Sequence, residues 1–256
     1  MRGVMADEDV PARWRRLAED HRTVLLDGFH AVKHALRFGA AVDPIVTADR
    51  ARALALAAAL APDLAGTFAG RLAEVDRGTL ATLAGGAHPT GVAGLARRPE
   101  TGPADVPRTA PVVVLDDPRH LGNVGAVVRV AAGLGAAGVL TTGTVDPWHP
   151  TVVRGSAGLH FALPVFRADD PAALRRPLVV FDPEGADIRT VLIPDDAALV
   201  FGSERRGVSA AVRGGADALV ALPMRRRVSS YNLATSVAMA LYHWTLTATG
   251  RPPDIG

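Results

Sequence analysis

The residues best suited to chemistry lie in the last quarter of the 256-residue chain. An apolar run ends at Gly202, and a glycine at such a point lets backbone approach a ligand closely. Glu204 follows it and could accept hydrogen bonds from a loop or pair with an arginine. A second apolar run ends at Pro223, and Ser230 and Asn232 then precede a helical pattern of apolar residues. Two strand ends and one helix N-terminus would therefore meet, and in an α/β protein ligands bind at the carboxyl ends of strands.

A second group of candidate residues follows the apolar run 112–115. A loop leads into a helix rich in glycine and alanine, for which Asn123 is a candidate N-cap, and Arg129 lies about two turns further along. Taken alone, Arg129 is more simply a surface arginine on a core helix. Ser230 and Asn232, taken alone, are more simply helix caps.

Basic residues are mostly arginine and are clustered, although the net charge is only +2. Clustered arginine suits contacts with phosphate groups. Each isolated pair of arginines is more simply explained as two solvated surface side chains. The triplet Arg225, Arg226 and Arg227 differs, because it falls inside the candidate site.

Several classes of protein are disfavoured. The chain has no cysteine, which excludes disulfides, thiolate metal sites and cysteine nucleophiles and fits a cytoplasmic protein. The histidines do not fall at metal-ligand spacing, so we expect no metal, and His160 is expected to be a partly exposed packing residue. Residues 122–125 lack the spacing of a dinucleotide fingerprint, which disfavours a nucleotide-dependent oxidoreductase. No apolar run is long enough to span a membrane, and residues 1–8 lack the apolar segment of a signal peptide.

The elements that must position these residues follow a repeated order in the second half of the chain. Short, continuous apolar runs alternate with helical patterns, which predicts a mostly parallel sheet covered on both faces. The predicted strands are 112–115, 139–140, 165–166, 178–181, 198–201 and 218–222.

The sequence predicts four parts. Residues 1–20 form a peripheral helical extension, and residues 21–97 form a small α/β sandwich in which 66–69 is a strand. Residues 98–110 are rich in proline and lack periodicity, which is typical of a linker. Residues 111–256 form the larger α/β unit.

Three segments together resemble one family. Segments 123–129, 201–207 and 222–232 are similar, in order and spacing, to the three signature motifs of the SpoU (TrmH-like) RNA 2′-O-ribose methyltransferases. Segment 156–165 also resembles the family pattern between the first two motifs. Segment 26–32 resembles the RNA-binding substrate domain attached to several rRNA-directed members.

The resemblance implies a fold and a cofactor. The family fold is an α/β sheet whose C-terminal chain threads a loop as a deep trefoil knot, a rarity among folds. The knot holds S-adenosylmethionine, largely through backbone groups, which by position would be those of Gly202, Leu222 and Tyr231, together with Phe181. Tyr231 occupies a position that is usually aliphatic in the family.

The resemblance also implies a reaction, the transfer of a methyl group to a ribose 2′-hydroxyl. Arg129 would activate that hydroxyl, Asn123, Ser230 and Asn232 would orient Arg129 and the ribose, and Glu204 would brace its loop. An arginine base is physically awkward, because its pKa is above about 12. A phosphate relay or electrostatic stabilisation of the alkoxide is the easier account.

Partners follow from the same resemblance. We expect 23S rRNA as substrate, with RNA contacts from Arg154 and the triplet 225–227; a tRNA substrate, or a non-catalytic RNA-binding assembly factor, is the alternative. The family works as homodimers through knot-region helices. The apolar face of the last helix, with Val237, Leu241, Tyr242 and Trp244, either contributes to that interface or is simply intrachain core.

Overall fold

The computed structural model of the chain describes residues 9–86 and 88–247. The chain divides into two compact units, Met1–Pro99 and Glu100–Gly256. Across the described ranges, none of the helices combines the length and the apolar character that a bilayer span requires.

The first unit is a mixed sheet with helices. Its strand order is β1-β4-β2-β3, in which β4 is antiparallel to β1 and β2 while β3 is parallel to β2. Asp49 and Asp76 start α3 and α5 by accepting hydrogen bonds from the backbone N–H three residues on, each at 2.9 Å. The elements are α1 (Val10–Ala18), β1 (Thr23–Asp27), α2 (Phe29–Arg37), β2 (Val42–Thr47), α3 (Arg50–Leu60), α4 (Ala65–Arg71), β3 (Leu72–Glu74), α5 (Arg77–Ala84) and β4 (Val92–Arg97).

Two predictions for this unit are wrong. Residues 66–69 are not a strand but part of α4, because a helix turns the buried Phe68 onto Phe29, with ring centroids 5.0 Å apart. Helix α1 is not peripheral, because Trp14 is only 2% exposed and its Nε1 donates to the Leu83 carbonyl. Trp14 belongs to the core of this unit, together with Val46, Leu80, Ala84, Ala93 and Leu95.

The second unit is built on a parallel sheet with the order β10-β8-β9-β5-β6-β7, in which each neighbouring pair is parallel. The predicted α/β fold class is thereby confirmed. The central strands are continuous apolar runs and are fully buried, as the sequence pattern requires. The elements are β5 (Val112–Asp116), α6 (Leu121–Gly133), β6 (Gly138–Thr141), α7 (Pro150–Gly155), β7 (Val165–Arg167), β8 (Leu178–Asp187), β9 (Ala198–Gly202), α8 (Ala210–Gly214), β10 (Ala218–Ala221) and α9 (Leu233–Thr247).

Strand β8 is interrupted where it passes β10. The register moves from Val180 opposite Leu219 to Ala186 opposite Val220, so residues 181–185 leave the β8–β10 ladder, although Phe181 stays opposite Phe201 of β9. We call this segment the 181–185 excursion.

The last helix, α9, is largely intrachain core. Val237, Leu241 and Trp244 are buried, and Trp244 Nε1 donates to Asp195 Oδ1 at 2.8 Å. Tyr242, in contrast, is 58% exposed. The simpler of the two interpretations of this face therefore holds for three of its four residues, and Tyr242 remains available at the surface.

The second half of the predicted linker is packed. Val106 and Ala110 are buried, and the Arg176 guanidinium, 7% exposed, donates to the carbonyls of Val106 (2.7 Å), Pro107 (2.7 Å) and Ala110 (3.3 Å). Burial, with the charge of Arg108 nearby, lowers the pKa of Arg176 from its ordinary value. Arg176 is thus an internal donor and not a solvated half of an arginine pair.

Replacing Arg176 by methionine should destabilise the second unit by about 2–4 kcal/mol, because three carbonyls lose a charged donor. The measurement is urea unfolding followed by tryptophan fluorescence. The control is Arg175→Asn, an exposed neighbour whose left-handed backbone (φ 51°) asparagine tolerates. Equal midpoints for the two variants would contradict a structural role for Arg176.

Candidate active site

A cleft of about 370 Å³ lies where the carboxyl ends of β9 and β10, together with the 181–185 excursion of β8, meet the start of α9. Its walls come from residues 181–183, 201–204 and 229–233, together with Leu222 and Met224. This is the edge of the sheet at which the sequence predicted a ligand site. The cleft is therefore built from loops that follow strands, held by a buried sheet below them.

Two phenylalanines line the cleft. Phe181 and Phe201 are opposite each other in the β8–β9 register, and their rings stack with centroids 4.5 Å apart at an angle of 8°. They give one side of the cleft an apolar, aromatic surface, of the kind that lines most small-molecule sites.

Gly202 is required by the hairpin that follows it. Ser203 and Gly207 exchange two backbone hydrogen bonds of 3.0 Å, so residues 204–206 form a tight tip, and Gly207 has φ +66°. A Cβ on Gly202 would lie 2.0 Å from the Gly207 carbonyl carbon. Gly202 is thus needed first of all because the backbone of this chain's own hairpin lies against it, whether or not a ligand also approaches.

A chain of side-chain hydrogen bonds joins the three signature segments. Asn123 Nδ2 donates to Glu204 Oε1 at 2.7 Å, and Asn232 Nδ2 donates to Asn123 Oδ1 at 3.1 Å. Asn232 Oδ1 in turn accepts from the Ala234 backbone N–H at 2.9 Å and so caps α9. Asn232 therefore caps α9, as the simpler interpretation of this residue predicts, and it also lines the cleft.

The environment of Glu204 favours its ionised form. Partial burial raises the pKa of this carboxyl, but hydrogen bonds from Asn123 and the Arg119 backbone, together with the charge of His120, outweigh it. The net effect places the pKa of Glu204 below its usual range. Glu204 is therefore a carboxylate at neutral pH, held over the first turn of α6.

Asn123 does not occupy the predicted N-cap. Helix α6 begins at Leu121 and its N-cap is His120, which makes no side-chain cap hydrogen bond. Asn123 lies within the first turn, where its amide is available to bridge Glu204 and Asn232. The prediction failed because the helix begins without a capping side chain to mark it.

The structure brings some of the predicted residues together and leaves others apart. Asn123 joins the cleft through Glu204 and Asn232. Arg129 and Arg154 are exposed on α6 and α7, and the triplet 225–227 is exposed on the loop between β10 and α9. None of these five arginines lines the cleft. The predicted residues that line it are Phe181, Gly202, Glu204, Leu222, Ser230, Tyr231 and Asn232.

The side chain of Arg129 makes no hydrogen bond or ion pair with any residue in the ranges 9–86 and 88–247. Its side chain is thus available to a ligand that the single chain does not supply.

His160 differs from its prediction. It is 1% exposed, with Nδ1 2.7 Å from Ser156 Oγ and Nε2 2.7 Å from the Pro147 carbonyl. Its ring is saturated with internal partners, so it is a structural residue. Within the described part of the chain, no cluster of three or more His, Asp or Glu residues could hold a metal ion.

Sequence reasoning missed Asp116. This carboxylate is buried, and it accepts from Thr142 Oγ1 at 2.9 Å and from the Ser209 backbone N–H at 2.7 Å. It ties the segment after the 203–207 hairpin to the end of β5. An acidic residue directly after four apolar strand residues was the available signal.

Sequence reasoning also missed the contact that the Tyr231 side chain makes. The Tyr231 hydroxyl donates to the Pro223 carbonyl at 2.9 Å and so closes the arginine-rich loop on itself. An aliphatic residue at this position could not make that bond.

The pKa of Glu204 gives a pH prediction. Because its folded pKa is lowered, its contribution to stability should be present above the ordinary value of 4.5 and be lost as pH falls through the folded pKa. The difference in Tm between the wild type and Glu204→Gln should therefore shrink as melts move from pH 7 to pH 3. Glu19→Gln controls for the loss of an exposed charge, and a constant Tm difference for Glu204→Gln across that range would disprove the assignment.

Comparison with known proteins agrees with the geometry. The profile of the SpoU rRNA Methylase family matches residues 110–242. A 23S rRNA (adenosine(1067)-2′-O)-methyltransferase of Streptomyces laurentii is 36% identical over 55% of this chain and 56% of its own length, so the chain spans little more than half of that relative. A 23S rRNA (guanosine(2553)-2′-O)-methyltransferase of Bacillus subtilis is 27% identical over 86% of this chain and 88% of its own length.

A solved structure shares the fold over nearly the whole chain. The SpoU methyltransferase AviRb of Streptomyces viridochromogenes superposes with a TM-score of 0.73 at 25% identity, covering 91% of this chain and 96% of its own. The matched range contains strands β5 to β10, the residues of the cleft and the hydrogen-bond chain described above. This chain therefore belongs to the SpoU rRNA methylase family.

Proposed function

We propose that this chain transfers a methyl group from S-adenosylmethionine to a ribose 2′-hydroxyl of 23S ribosomal RNA. The observation that carries the proposal is the cleft formed by the 181–185 excursion and the ends of β9 and β10, whose wall includes two members of the hydrogen-bond chain joining the signature segments. Family membership supports the reaction. The names of the Streptomyces laurentii and Bacillus subtilis relatives, both 23S rRNA 2′-O-methyltransferases, support the substrate.

The residues of the cleft fit this cofactor. Its volume of about 370 Å³ is in the range of pockets that take ligands of this size. The aromatic side of the cleft, formed with Phe181, suits a flat ring of the cofactor. Backbone groups at Gly202, Leu222 and Tyr231 suit the polar groups of the cofactor. When bound, the cofactor supplies an electrophilic methyl group on a positively charged sulfur.

The chain's own residues would handle the hydroxyl and its proton. The hydroxyl oxygen gains the methyl group and must lose its proton, for which a guanidinium is a poor acceptor. We infer that Arg129 holds an RNA phosphate that relays the proton, or stabilises the developing alkoxide by its charge. Asn123, Asn232 and Ser230 would orient the ribose, while Glu204 fixes its loop.

A homodimer would complete this arrangement. Arg129 is exposed and lies outside the cleft of its own chain, which supports a site to which a second copy contributes. Tyr242, exposed on α9, is a candidate contact residue for that copy.

RNA contacts are assigned to exposed arginines. The triplet 225–227 lies between Met224 and Ser229, which line the cleft, so its guanidinium groups would meet phosphates of the bound nucleotide's neighbours. Arg154 on α7 would extend the contact. We further infer that the unit Met1–Pro99 binds the RNA and that the enzyme works in the cytoplasm.

The proposal predicts that Arg129→Ala loses transfer but keeps the cofactor. Labelled methyl transfer to unmodified RNA, separated into 23S, 16S and tRNA fractions, should fall by roughly 10²–10³-fold, the usual cost of one preorganised electrostatic group. The affinity for S-adenosylmethionine, measured by calorimetry, should change by less than about twofold because Arg129 does not line the cleft.

Arg189→Ala, an exposed arginine outside the site, serves as the control and should retain activity. Label in the tRNA fraction would overturn the choice of substrate. No label in any fraction would overturn the catalytic proposal in favour of an RNA-binding assembly factor.

A further inference from the structure

One wall of the cleft has little support from the sheet. The 181–185 excursion leaves the β8–β10 ladder; Phe181 stays opposite Phe201 of β9, but Asp182 and Pro183, which also line the cleft, lie beyond that pairing. Backbone outside a ladder can move unless other contacts hold it. The position of this wall therefore depends on side chains.

Arg213, on α8, makes those contacts. Its Nε lies 3.0 Å from Asp182 Oδ2, and its Nη2 donates to Glu184 Oε2 and lies 3.4 Å from Asp182 Oδ1. The carboxylate of Asp182 is further fixed by the Glu184 backbone N–H, which donates to Oδ1 at 2.9 Å. The side chain of Asp182 is only 16% exposed, so this pair is partly shielded from water.

The two ends of the excursion are anchored to different parts of the sheet. Helix α8 is capped by Ser209, whose backbone N–H donates to the buried Asp116 at the end of β5. Arg213 therefore holds the excursion from a fixed base. At its other end Gly185 packs on β10, where a Cβ would lie 2.4 Å from the Leu219 carbonyl carbon.

We propose that Arg213 is a positioning residue of the cleft, which sets the 181–183 wall for the cofactor through its ion pairs with Asp182 and Glu184. The inference rests on the proposed function. The side chains of Arg213 and Glu184 are 38% and 77% exposed, and ion pairs that reach solvent contribute little to global stability, so the effect falls on binding. A wall that is already in place spares the bound state the entropy of ordering it.

The chain contains a matched control. Arg189 pairs with Asp187 shortly after the excursion, with Nε–Oδ distances of 2.9 and 3.0 Å, and neither residue lines the cleft. Arg189→Gln thus removes the same charge from a similar surface pair without touching the wall.

The test measures the affinity for S-adenosylmethionine by calorimetry. Arg213→Gln should raise Kd about tenfold, a size found for partners of one ion-pair network, while Arg189→Gln should leave it within about twofold. Methyl transfer at saturating cofactor should stay within about twofold of the wild type, because the residue does not touch the reacting atoms. Arg213→Lys keeps the positive charge but loses the forked guanidinium, so its Kd should lie between those of the wild type and Arg213→Gln. This variant carries the test if the glutamine variant does not fold.

A double-mutant cycle with Asp182→Asn separates an ion pair from independent effects. If the pair sets the wall, the double variant binds no more weakly than the weaker single variant; additive losses overturn the inference. An unchanged Kd in Arg213→Gln overturns it too. A wild-type chain that binds no cofactor rejects the proposed function instead.

Discussion

The hydrogen bonds that link Asn123, Glu204 and Asn232 hold together segments far apart in the sequence. Glu204 supplies the charge. Partial burial is outweighed by the hydrogen bond from the Asn123 amide, together with backbone hydrogen bonds and the charge of His120, so that the pKa of Glu204 is lowered. Each of the three residues sits where a strand has just ended or a helix begins. The cleft exists because a parallel sheet delivers those ends to one edge, and this carboxylate then fixes the loops relative to one another.

Steric constraints on backbone complete the site. Gly202 and Gly185 each lie against a peptide group at a distance that no side chain allows, so the hairpin and the 181–185 excursion pack directly on main chain. Backbone groups are consequently well placed to meet a ligand. The exposed arginines lie outside the cleft, which separates the ligand-sized cavity from a basic surface suited to a polyanion.

The sequence predicts local features well and contacts between distant residues poorly. The strands of the second unit could be located because each is a continuous apolar run, and the cleft could be placed because strand ends share one edge. The burial of Trp14 could not be predicted, because one aromatic residue on a charged helix gives no sign of its partners. Arg176 looked like one of many surface arginines, since its three carbonyl acceptors lie in a segment some 70 residues away. The use of Asn123 as a bridge likewise depends on Glu204, 81 positions further along.

We propose that the cleft between residues 181–183, 201–204 and 229–233 holds the cofactor. A crystal structure of the chain with S-adenosylhomocysteine tests it most directly. We expect ligand density in this cleft, against Phe181 and the backbone of Gly202, Leu222 and Tyr231, with the Asn123–Glu204–Asn232 hydrogen bonds intact. Density at another place, or an empty cleft in a protein that binds the cofactor in solution, would contradict it.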